Sequence, residues 1–173
     1  GSTFKPGQGL ILLQEGIINL NTAFPCSRGY VNGGLRVGCH PHASPITLKP
    51  ALRTSCNAFF CWGFKSMIDR RSKYGSPDKA FEIWKNYLVE LGYGYRLGID
   101  LPGERDSILG VDMHTLESLQ KTKSTLMTAS FGQRFKVSPI QMLSTVCAIV
   151  DDGKLKTPHV VKEILNADGT VKQ

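Results

Sequence analysis

The sequence predicts a mainly α-helical chain in which strand character appears only near the C-terminal end. Ser76 and Ser138 are each followed by proline, and a serine N-cap before a first-turn proline commonly starts a helix. A dense apolar run at 9–13 indicates a further helix that is buried. The Asn-Ala-Asp-Gly sequence at 166–169 lies between two β-prone segments and predicts a hairpin.

Composition places the chain among ordinary soluble globular proteins. Its 173 residues are enough for one domain or a large part of one, with 41% hydrophobic and 20% charged residues. The net charge of +7 is spread along the chain, without an arginine-loaded helix or an RNA motif, so no nucleic-acid partner is predicted. Because no apolar run approaches about eighteen residues, no membrane span is predicted.

The first predicted helix runs from Ser2 to Ile18. Lys5 lies three residues after Ser2, so the hydroxyl and the amine share one face of the first turn. A buried lysine, its pKa lowered by desolvation, can take the proton of a serine and make it a nucleophile. The S-x-x-K spacing recurs at Ser118 and Lys121, however, and by itself also fits a solvated helix face.

The segment 26–45 shows little periodicity, and we interpret it as a long loop or small excursion that needs a stabilising cross-link. Thr47 is the predicted N-cap of the helix that follows. This helix leads to Ser55 and Asn57 and then to the apolar run 58–64, which predicts two helices with a polar junction. Ser55 and Asn57 should be exposed there while the aromatic residues are buried.

Two later helices have a defined apolar face in the sequence. The helix after Ser76 is predicted to stop at Gly92, and its inward residues are predicted to be Phe81, Trp84, Leu88 and Leu91. The helix after Ser138 is predicted to end at 151–153. Its inward residues are predicted to be Ile140, Leu143, Cys147 and Val150. A short helix is also predicted at 115–123.

The five cysteines leave at least one unpaired if the chain forms disulfides. Cys61 and Cys147 are predicted to lie in the core. Three thiolates and one imidazole would form a tetrahedral zinc site that cross-links the long loop. The predicted ligands are Cys26, Cys39, His42 and Cys56, with His40 as a substitute for His42. A disulfide, for instance between Cys26 and Cys39, is the alternative cross-link.

These motifs together resemble those of the transpeptidase domain of class B penicillin-binding proteins, most of all the elongation-specific penicillin-binding protein 2 group. They occur in the same order and at similar spacing over nearly the whole chain. The matching segments are 1–6, 55–60, 91–94, 98–104, 132–133 and 138–142. The resemblance implies an α/β fold of the β-lactamase/transpeptidase type, of which this chain would be the mainly helical part.

The resemblance also implies a role for each predicted catalytic residue. Ser2 would attack the D-alanyl-D-alanine carbonyl of a peptidoglycan stem peptide, or a β-lactam, and form an acyl-enzyme. Lys5 would be the general base, Ser55 would pass a proton to the leaving amine, and Asn57 would hydrogen-bond the substrate. A second stem peptide would resolve the acyl-enzyme into a crosslink. No cofactor would be required, and zinc would only stabilise the fold.

The resemblance further implies a parent protein at the periplasmic face of the inner membrane, held by an N-terminal anchor outside this chain. Its partners would be stem peptides, β-lactams, a glycan polymerase and the elongation machinery. The family's third motif, K-[ST]-G, is absent, since the sequences at 121–123 and 156–158 both lack the glycine. We therefore expect residues 1–173 to be a partial transpeptidase domain, without the flanking sheet strands, that is soluble and inactive by itself.

Two other functions would use the same residues differently. A β-lactamase or β-lactam-sensor domain would share Ser2 and Lys5, although the segments 98–104 and 138–142 favour the transpeptidase. A noncatalytic, zinc-stabilised module of cell-wall assembly would need the cysteines but not the serine.

Overall fold

Helices dominate the structure, as predicted. The computed structural model describes residues 1–105, 127–133 and 135–172. Its helices there are α1 (Lys5–Gln14), α2 (Leu48–Arg53), α3 (Asn57–Ile68), α4 (Arg71–Tyr74), α5 (Pro77–Glu90) and α6 (Pro139–Val150). The strands are β1 (Ala23–Phe24), β2 (Gly29–Asn32), β3 (Leu35–Gly38) and β4 (Ile46–Thr47). None of the described helices is both long and apolar enough to cross a membrane.

Predictions made for the segment 106–126 cannot be compared with the structure, because these residues lie outside those that it describes. The short helix predicted at 115–123 and the second S-x-x-K pair, Ser118 and Lys121, lie outside the described residues. The same is true of the sequence at 121–123 that lacks the glycine of the third motif.

α1 is the central helix, as the apolar run predicts. A 3₁₀ turn at Ser2–Phe4 leads directly into it, and the helix ends at Gln14, before the predicted Ile18. The backbone N–H groups of Gly16 and Ile17 turn back to the carbonyls of residues 13 and 12, which satisfies acceptors that the helix end leaves unpaired.

α1 packs against α2, α3 and α5, and aromatic residues fill the space between these helices. Trp84 of α5 is fully buried, and the centre of its ring lies 4.7 Å from that of Phe64 in α3. Its indole N–H donates a 2.7 Å hydrogen bond to Gln8 of α1, so burial does not leave this donor unpaired. Phe81 and Leu88 are buried as well, which confirms the predicted inward face of α5.

The prediction that strand character appears only near the C-terminal end is wrong. The segment 26–45 contains a hairpin of β2 and β3, and β1 pairs with β4. The hairpin packs on α3, where the ring of Tyr30 lies 4.6 Å from that of Trp62. These strands are two to four residues long, too short to show an alternating pattern in the sequence. Around the predicted C-terminal turn, an antiparallel bridge joins Leu165 and Val171.

Two carboxylates organise the loop after α5 and the C-terminal segment. Glu104 accepts hydrogen bonds from the three backbone N–H groups of 97–99, at 2.6 to 3.2 Å. Asp100 accepts from the N–H groups of Val160 and Val161, both at 2.8 Å. The acidic residues of the 98–104 motif therefore fix the shape of the loop and hold the C-terminal segment against it.

α6 begins as predicted, with a capping box formed by Ser138 and Gln141. Its buried face is not the predicted one, because the buried residues are Gln141, Ser144, Thr145 and Ala148. The Gln141 amide and the Thr145 hydroxyl donate to the carbonyls of Tyr95 and Leu91. Unpaired carbonyls in the loop after α5 thus select a polar face of the helix.

The predicted apolar face of α6 is largely exposed. Leu143 is 55% exposed and Val150 is 79% exposed, while Ile140 is half-buried. Cys147, predicted to be a core residue, is exposed too. Cys61, by contrast, is fully buried in α3, as predicted.

Candidate active site

The structure brings the four predicted catalytic residues into one cluster. Ser2 lies on the 3₁₀ turn and Lys5 on the first turn of α1. Ser55 and Asn57 come from the junction between α2 and α3. This is the polar junction between two helices that the sequence predicts. Although the two segments are 50 residues apart in the chain, their side chains meet at the Lys5 amine.

The Lys5 ammonium is buried and surrounded by oxygen acceptors, with 2% of the residue exposed. Its three N–H groups are shared among four acceptors, the Ser55 carbonyl and Asn57 Oδ1 at 2.7 Å, Ser55 Oγ at 2.8 Å and Ser2 Oγ at 3.2 Å. Burial lowers the pKa of Lys5 from its ordinary 10.5, and nearby cysteine thiols oppose this shift only in part.

Two routes connect the Lys5 amine to the Ser2 hydroxyl. One is the direct 3.2 Å contact, and the other passes through Ser55, whose Oγ accepts from Lys5 and donates to Ser2 Oγ at 2.9 Å. Ser2 itself is exposed. The arrangement can therefore move a proton between the serine and the amine while the serine stays open to a ligand.

Ser55 has a left-handed backbone conformation, with φ +55°. For a residue of this type the left-handed region costs about 1–2 kcal/mol. In this conformation the carbonyl and the hydroxyl of Ser55 both face Lys5. Two hydrogen bonds to a buried ammonium offset the backbone cost, because an unpaired buried charge would cost more.

Contacts on both sides fix the Asn57 amide. Its Oδ1 accepts from Lys5, so its NH₂ group points away from the amine and donates to the carbonyl of Gly38 at 3.0 Å. The backbone N–H of Asn57 donates to Cys39 Sγ at 3.1 Å. The end of β3 therefore supports Asn57. The sequence gives no sign of these two contacts, since they depend on a hairpin that has no clear strand pattern.

The four predicted metal ligands also lie together. The ligand atoms of Cys26, Cys39, His42 and Cys56 are all within 4.8 Å of one another. All five cysteines are free, so the alternative disulfide between Cys26 and Cys39 is not formed. Thiolates bound to zinc at about 2.3 Å in a tetrahedron would be about 3.8 Å apart, which the cluster can accommodate.

The histidine in this cluster is His42 rather than His40. Its Nδ1 lies 2.8 Å from the carbonyl of Ala43, which can only accept, so Nδ1 carries the proton. The lone pair of the neutral ring is then on Nε2, which lies 3.5 Å from Cys39 Sγ. A backbone carbonyl that orients the ring in this way is a usual feature of metal-binding histidines.

The start of α3 favours the thiolate form of Cys39. Burial opposes ionisation of Cys39, but the N–H groups of Ala58 and Asn57 and the His42 side chain outweigh it and lower its pKa to about 7. Cys56 Sγ accepts from the N–H of Phe59 at 3.3 Å, although burial raises the pKa of this thiol. Backbone N–H groups at a helix N-terminus stabilise a thiolate, which is the form of cysteine that binds a metal.

In a comparison with known protein families, one family matches the chain over its whole length. The family described as "Penicillin binding protein transpeptidase domain" has a model that matches residues 1–173. Among curated proteins, the chain is 28% identical to penicillin-binding protein 2A of Bacillus subtilis over 97% of its length. It is 32% identical to stage V sporulation protein D of the same species over 94% of its length. The chain spans 23% of each of these two relatives.

Solved structures have the same architecture. Penicillin-binding protein 2 of Helicobacter pylori, in a complex with MreC, matches at a TM-score of 0.70 and 27% identity. The match covers 99% of this chain and 30% of that one. Penicillin-binding protein 3 of Mycobacterium tuberculosis, complexed with aztreonam, matches in fold at a TM-score of 0.76 and 21% identity, covering 100% and 35% of the two chains. The predicted α/β fold class is therefore confirmed.

Replacing Ser55 with glycine should leave the protein more stable than replacing it with alanine. Both variants lose the hydroxyl, but only glycine adopts the left-handed backbone without strain. We expect the free energy of unfolding of Ser55→Gly to exceed that of Ser55→Ala by about 1 kcal/mol in urea titrations. At Ser72, an exposed helical position, the order of the glycine and alanine variants should reverse. A Ser55→Ala variant as stable as Ser55→Gly would contradict the strain.

Proposed function

The chain belongs to the penicillin-binding protein transpeptidase family, and from this premise we propose that it carries the helical part of the active site of a D,D-transpeptidase. The substrate class is the peptidoglycan stem peptide ending in D-alanyl-D-alanine. The observation that supports this proposal best is the convergence of Ser2, Ser55 and Asn57 on the buried Lys5 amine.

Acylation begins when the neutral Lys5 amine takes the proton of Ser2, directly or through Ser55. Ser2 Oγ then attacks the carbonyl between the two D-alanines, and the C–N bond to the terminal D-alanine breaks. Ser55 passes the proton to the leaving amine, so free D-alanine departs and an ester on Ser2 remains. A β-lactam follows the same steps, except that its ring opens and the leaving amine stays attached.

The second half of the reaction reverses these proton transfers. An amine of another stem peptide attacks the ester carbonyl and gives up a proton through Ser55 and Lys5. Ser2 Oγ leaves, takes this proton back and is ready for the next turnover. The product is an amide crosslink between two strands, and no cofactor takes part.

Asn57 and the backbone of Ser2 hold the substrate during these steps. The NH₂ group of Asn57 already points away from Lys5, so it can exchange its bond to Gly38 for a carbonyl of the acyl chain. The backbone N–H of Ser2, at the start of the 3₁₀ turn, supplies one donor for the oxyanion that forms during attack.

We also propose that this chain is part of a longer protein. The chain spans 23% of two curated relatives, and the exposed Leu143 and Val150 give α6 an uncovered apolar face. We propose that residues 1–173 are a partial transpeptidase domain and that this face packs on sheet strands outside it. By itself the chain would be inactive.

Family membership also supports a place and a set of partners for the parent protein. We propose that it is anchored at the periplasmic face of the inner membrane and binds β-lactams. One of the structural neighbours is a complex with MreC, which supports the elongation machinery, with a glycan polymerase, as the assembly that it joins.

A structural zinc ion in the cysteine cluster is a second part of the proposal. Cys26, Cys39, His42 and Cys56 offer the donor set and spacing of a tetrahedral zinc site. The ion would join the loop before the hairpin to the segment after it and to the start of α3, and it would contribute to folding. It would take no part in the acyl transfer.

The test of the function is a covalent adduct on Ser2. We expect the full-length protein that carries this sequence to gain the mass of benzylpenicillin, with the label on the Ser2 peptide in digests. Ser2→Ala should abolish the adduct, whereas Ser118→Ala, at the second S-x-x-K copy, should retain it. Hydrolysis of the adduct within seconds would favour a β-lactamase instead, and an absent adduct would favour a noncatalytic module.

The rate of this acylation should depend on the protonation of Lys5. Only the neutral amine accepts a proton, so the rate should rise with pH through the Lys5 pKa and level off above it. Because burial lowers this pKa, the midpoint should lie below 10.5. Stopped-flow acylation between pH 5 and 11 measures it. Lys5→Arg should lose about a hundredfold or more, while Lys49→Arg, at an exposed lysine, should keep the profile. A rate independent of pH would exclude Lys5 as the base.

Zinc binding is tested by metal analysis of the full-length protein purified under reducing conditions. We expect about one zinc per chain, lost in Cys39→Ser and retained in Cys147→Ser, since Cys147 is exposed and lies outside the cluster. Removal of the metal by a chelator should lower the unfolding temperature of the unsubstituted protein but not of Cys39→Ser. A metal-free protein with a disulfide among these cysteines would contradict the site.

A further inference from the structure

The turn at 130–133 lies against the turn that carries Ser2. The backbone nitrogen of Gly1 donates to the carbonyl of Gly132 at 2.8 Å. Gly132 and Gln133 are themselves fixed, because their N–H groups donate to carbonyls of the helical turn at 127–129. The 132–133 segment is one of the motifs of the sequence, and the proton transfers of the reaction do not account for it.

Gly132 touches the Ser2 turn so closely that no side chain fits. A Cβ at this position would lie 2.4 Å from Phe4 Cβ and 2.6 Å from the carbonyl oxygen of Gly1. That carbonyl accepts the N–H of Phe4 and so closes the 3₁₀ turn around Ser2. A methyl group on Gly132 would therefore push directly on the backbone that sets the position of the serine.

The Ser2 turn has little room to yield to such a push. The ring of Phe4 is backed by Phe135, at 5.0 Å between ring centres, and by Tyr93, at 5.8 Å. Phe4 is itself buried. A displaced turn would have to compress these rings or move Ser2 relative to Lys5.

The same segment also contacts the other member of the serine–lysine pair. The ring centre of Phe131 lies 5.6 Å from Lys5 Nζ, within the range of a cation–π interaction. Consecutive residues of one turn thus touch the backbone around Ser2 and the amine of Lys5.

We propose that Gly132 is a positioning residue, which sets the distance between the Ser2 hydroxyl and the Lys5 amine by close backbone contact with the Ser2 turn. This inference rests on the proposed acylation of Ser2. It assigns to the 132–133 motif a function in that step, although Gly132 has no side chain that could touch a substrate.

The experiment measures β-lactam acylation by the full-length protein and separates the acylation rate constant from the dissociation constant of the preceding noncovalent complex. In Gly132→Ala we expect the rate constant to fall by about tenfold to a hundredfold, because displacement of a reacting group by about 1 Å has an effect of this size. The dissociation constant should stay within about twofold of its original value.

Gly103→Ala and Gly153→Ala are the matched controls. Their φ angles of +86° and +82° are close to the +80° of Gly132, but a Cβ at either position meets nothing within 4 Å. Alanine therefore introduces similar backbone strain at all three positions, but only at position 132 does its methyl group meet neighbouring atoms. Both controls should keep the original acylation rate constant.

A double variant distinguishes displacement from general loss of stability. Gly132→Ala with Phe135→Ala should recover part of the rate, because the smaller residue lets Phe4 move away from the added methyl group. A purely destabilising effect would instead add to the loss. If Gly132→Ala does not fold, Phe135→Ala alone should lower the rate constant, and an unchanged rate constant would then overturn the proposal.

The outcomes separate this inference from the proposed function. If the unsubstituted protein forms no adduct on Ser2, the proposed function fails and the positioning role fails with it. If it forms the adduct and Gly132→Ala acylates as fast as the two control variants, only the positioning role is overturned.

Discussion

The buried ammonium of Lys5 is the constraint on which the rest of the site depends. A charge removed from water must be compensated by hydrogen bonds, and the 3₁₀ turn before α1 offers Lys5 only the 3.2 Å contact to Ser2. The remaining acceptors come from Ser55 and Asn57, 50 and 52 residues away in the chain. Compensation of this one charge therefore forces the first turn of α1 against the junction between α2 and α3.

The junction between α2 and α3 supplies hydrogen-bond acceptors to Lys5 and also contributes a sulfur to the cysteine cluster. Ser55 and Asn57 face Lys5, while Cys56, between them, faces away and contributes its sulfur to the cluster. Asn57 is linked to the cluster a second time, since its N–H donates to Cys39 Sγ. Three consecutive residues thus connect the serine–lysine cluster to the cysteine cluster, and a change in the cysteine cluster would reach Asn57 through one hydrogen bond.

Local signals made several elements predictable from the sequence. The Ser-Pro starts at Ser76 and Ser138 predict helices because N-caps and first-turn prolines depend on neighbouring residues alone. The four catalytic candidates could likewise be proposed, because they belong to motifs with fixed spacing. The His–Cys set could be proposed because three thiolates and one imidazole are a donor set for tetrahedral zinc. The early strands could not be predicted, since each has too few residues for an alternating pattern.

The features that the sequence did not reveal depend on contacts between residues that are distant in the chain. The apolar spacing of α6 does not predict the face that is buried among the described residues, because there the helix supplies donors to the carbonyls of Leu91 and Tyr95, which apolar residues cannot do. The close contact of Gly132 with Phe4 is equally invisible, because it depends on how two distant turns meet. In both cases a backbone group elsewhere in the chain, rather than the local pattern, determines which residue fits.

Ser2 and Lys5 differ in solvent exposure, and this difference suits the two roles that we propose for them. The proposed general base, Lys5, is buried under aromatic residues of α3 and of the turn at 130–133, and this burial lowers its pKa. The proposed nucleophile, Ser2, is exposed and so open to a ligand. A separation of three residues across the 3₁₀ turn keeps the two groups 3.2 Å apart while it places one inside the core and the other at its surface. The Lys5 amine is therefore desolvated by the fold itself, before any ligand binds.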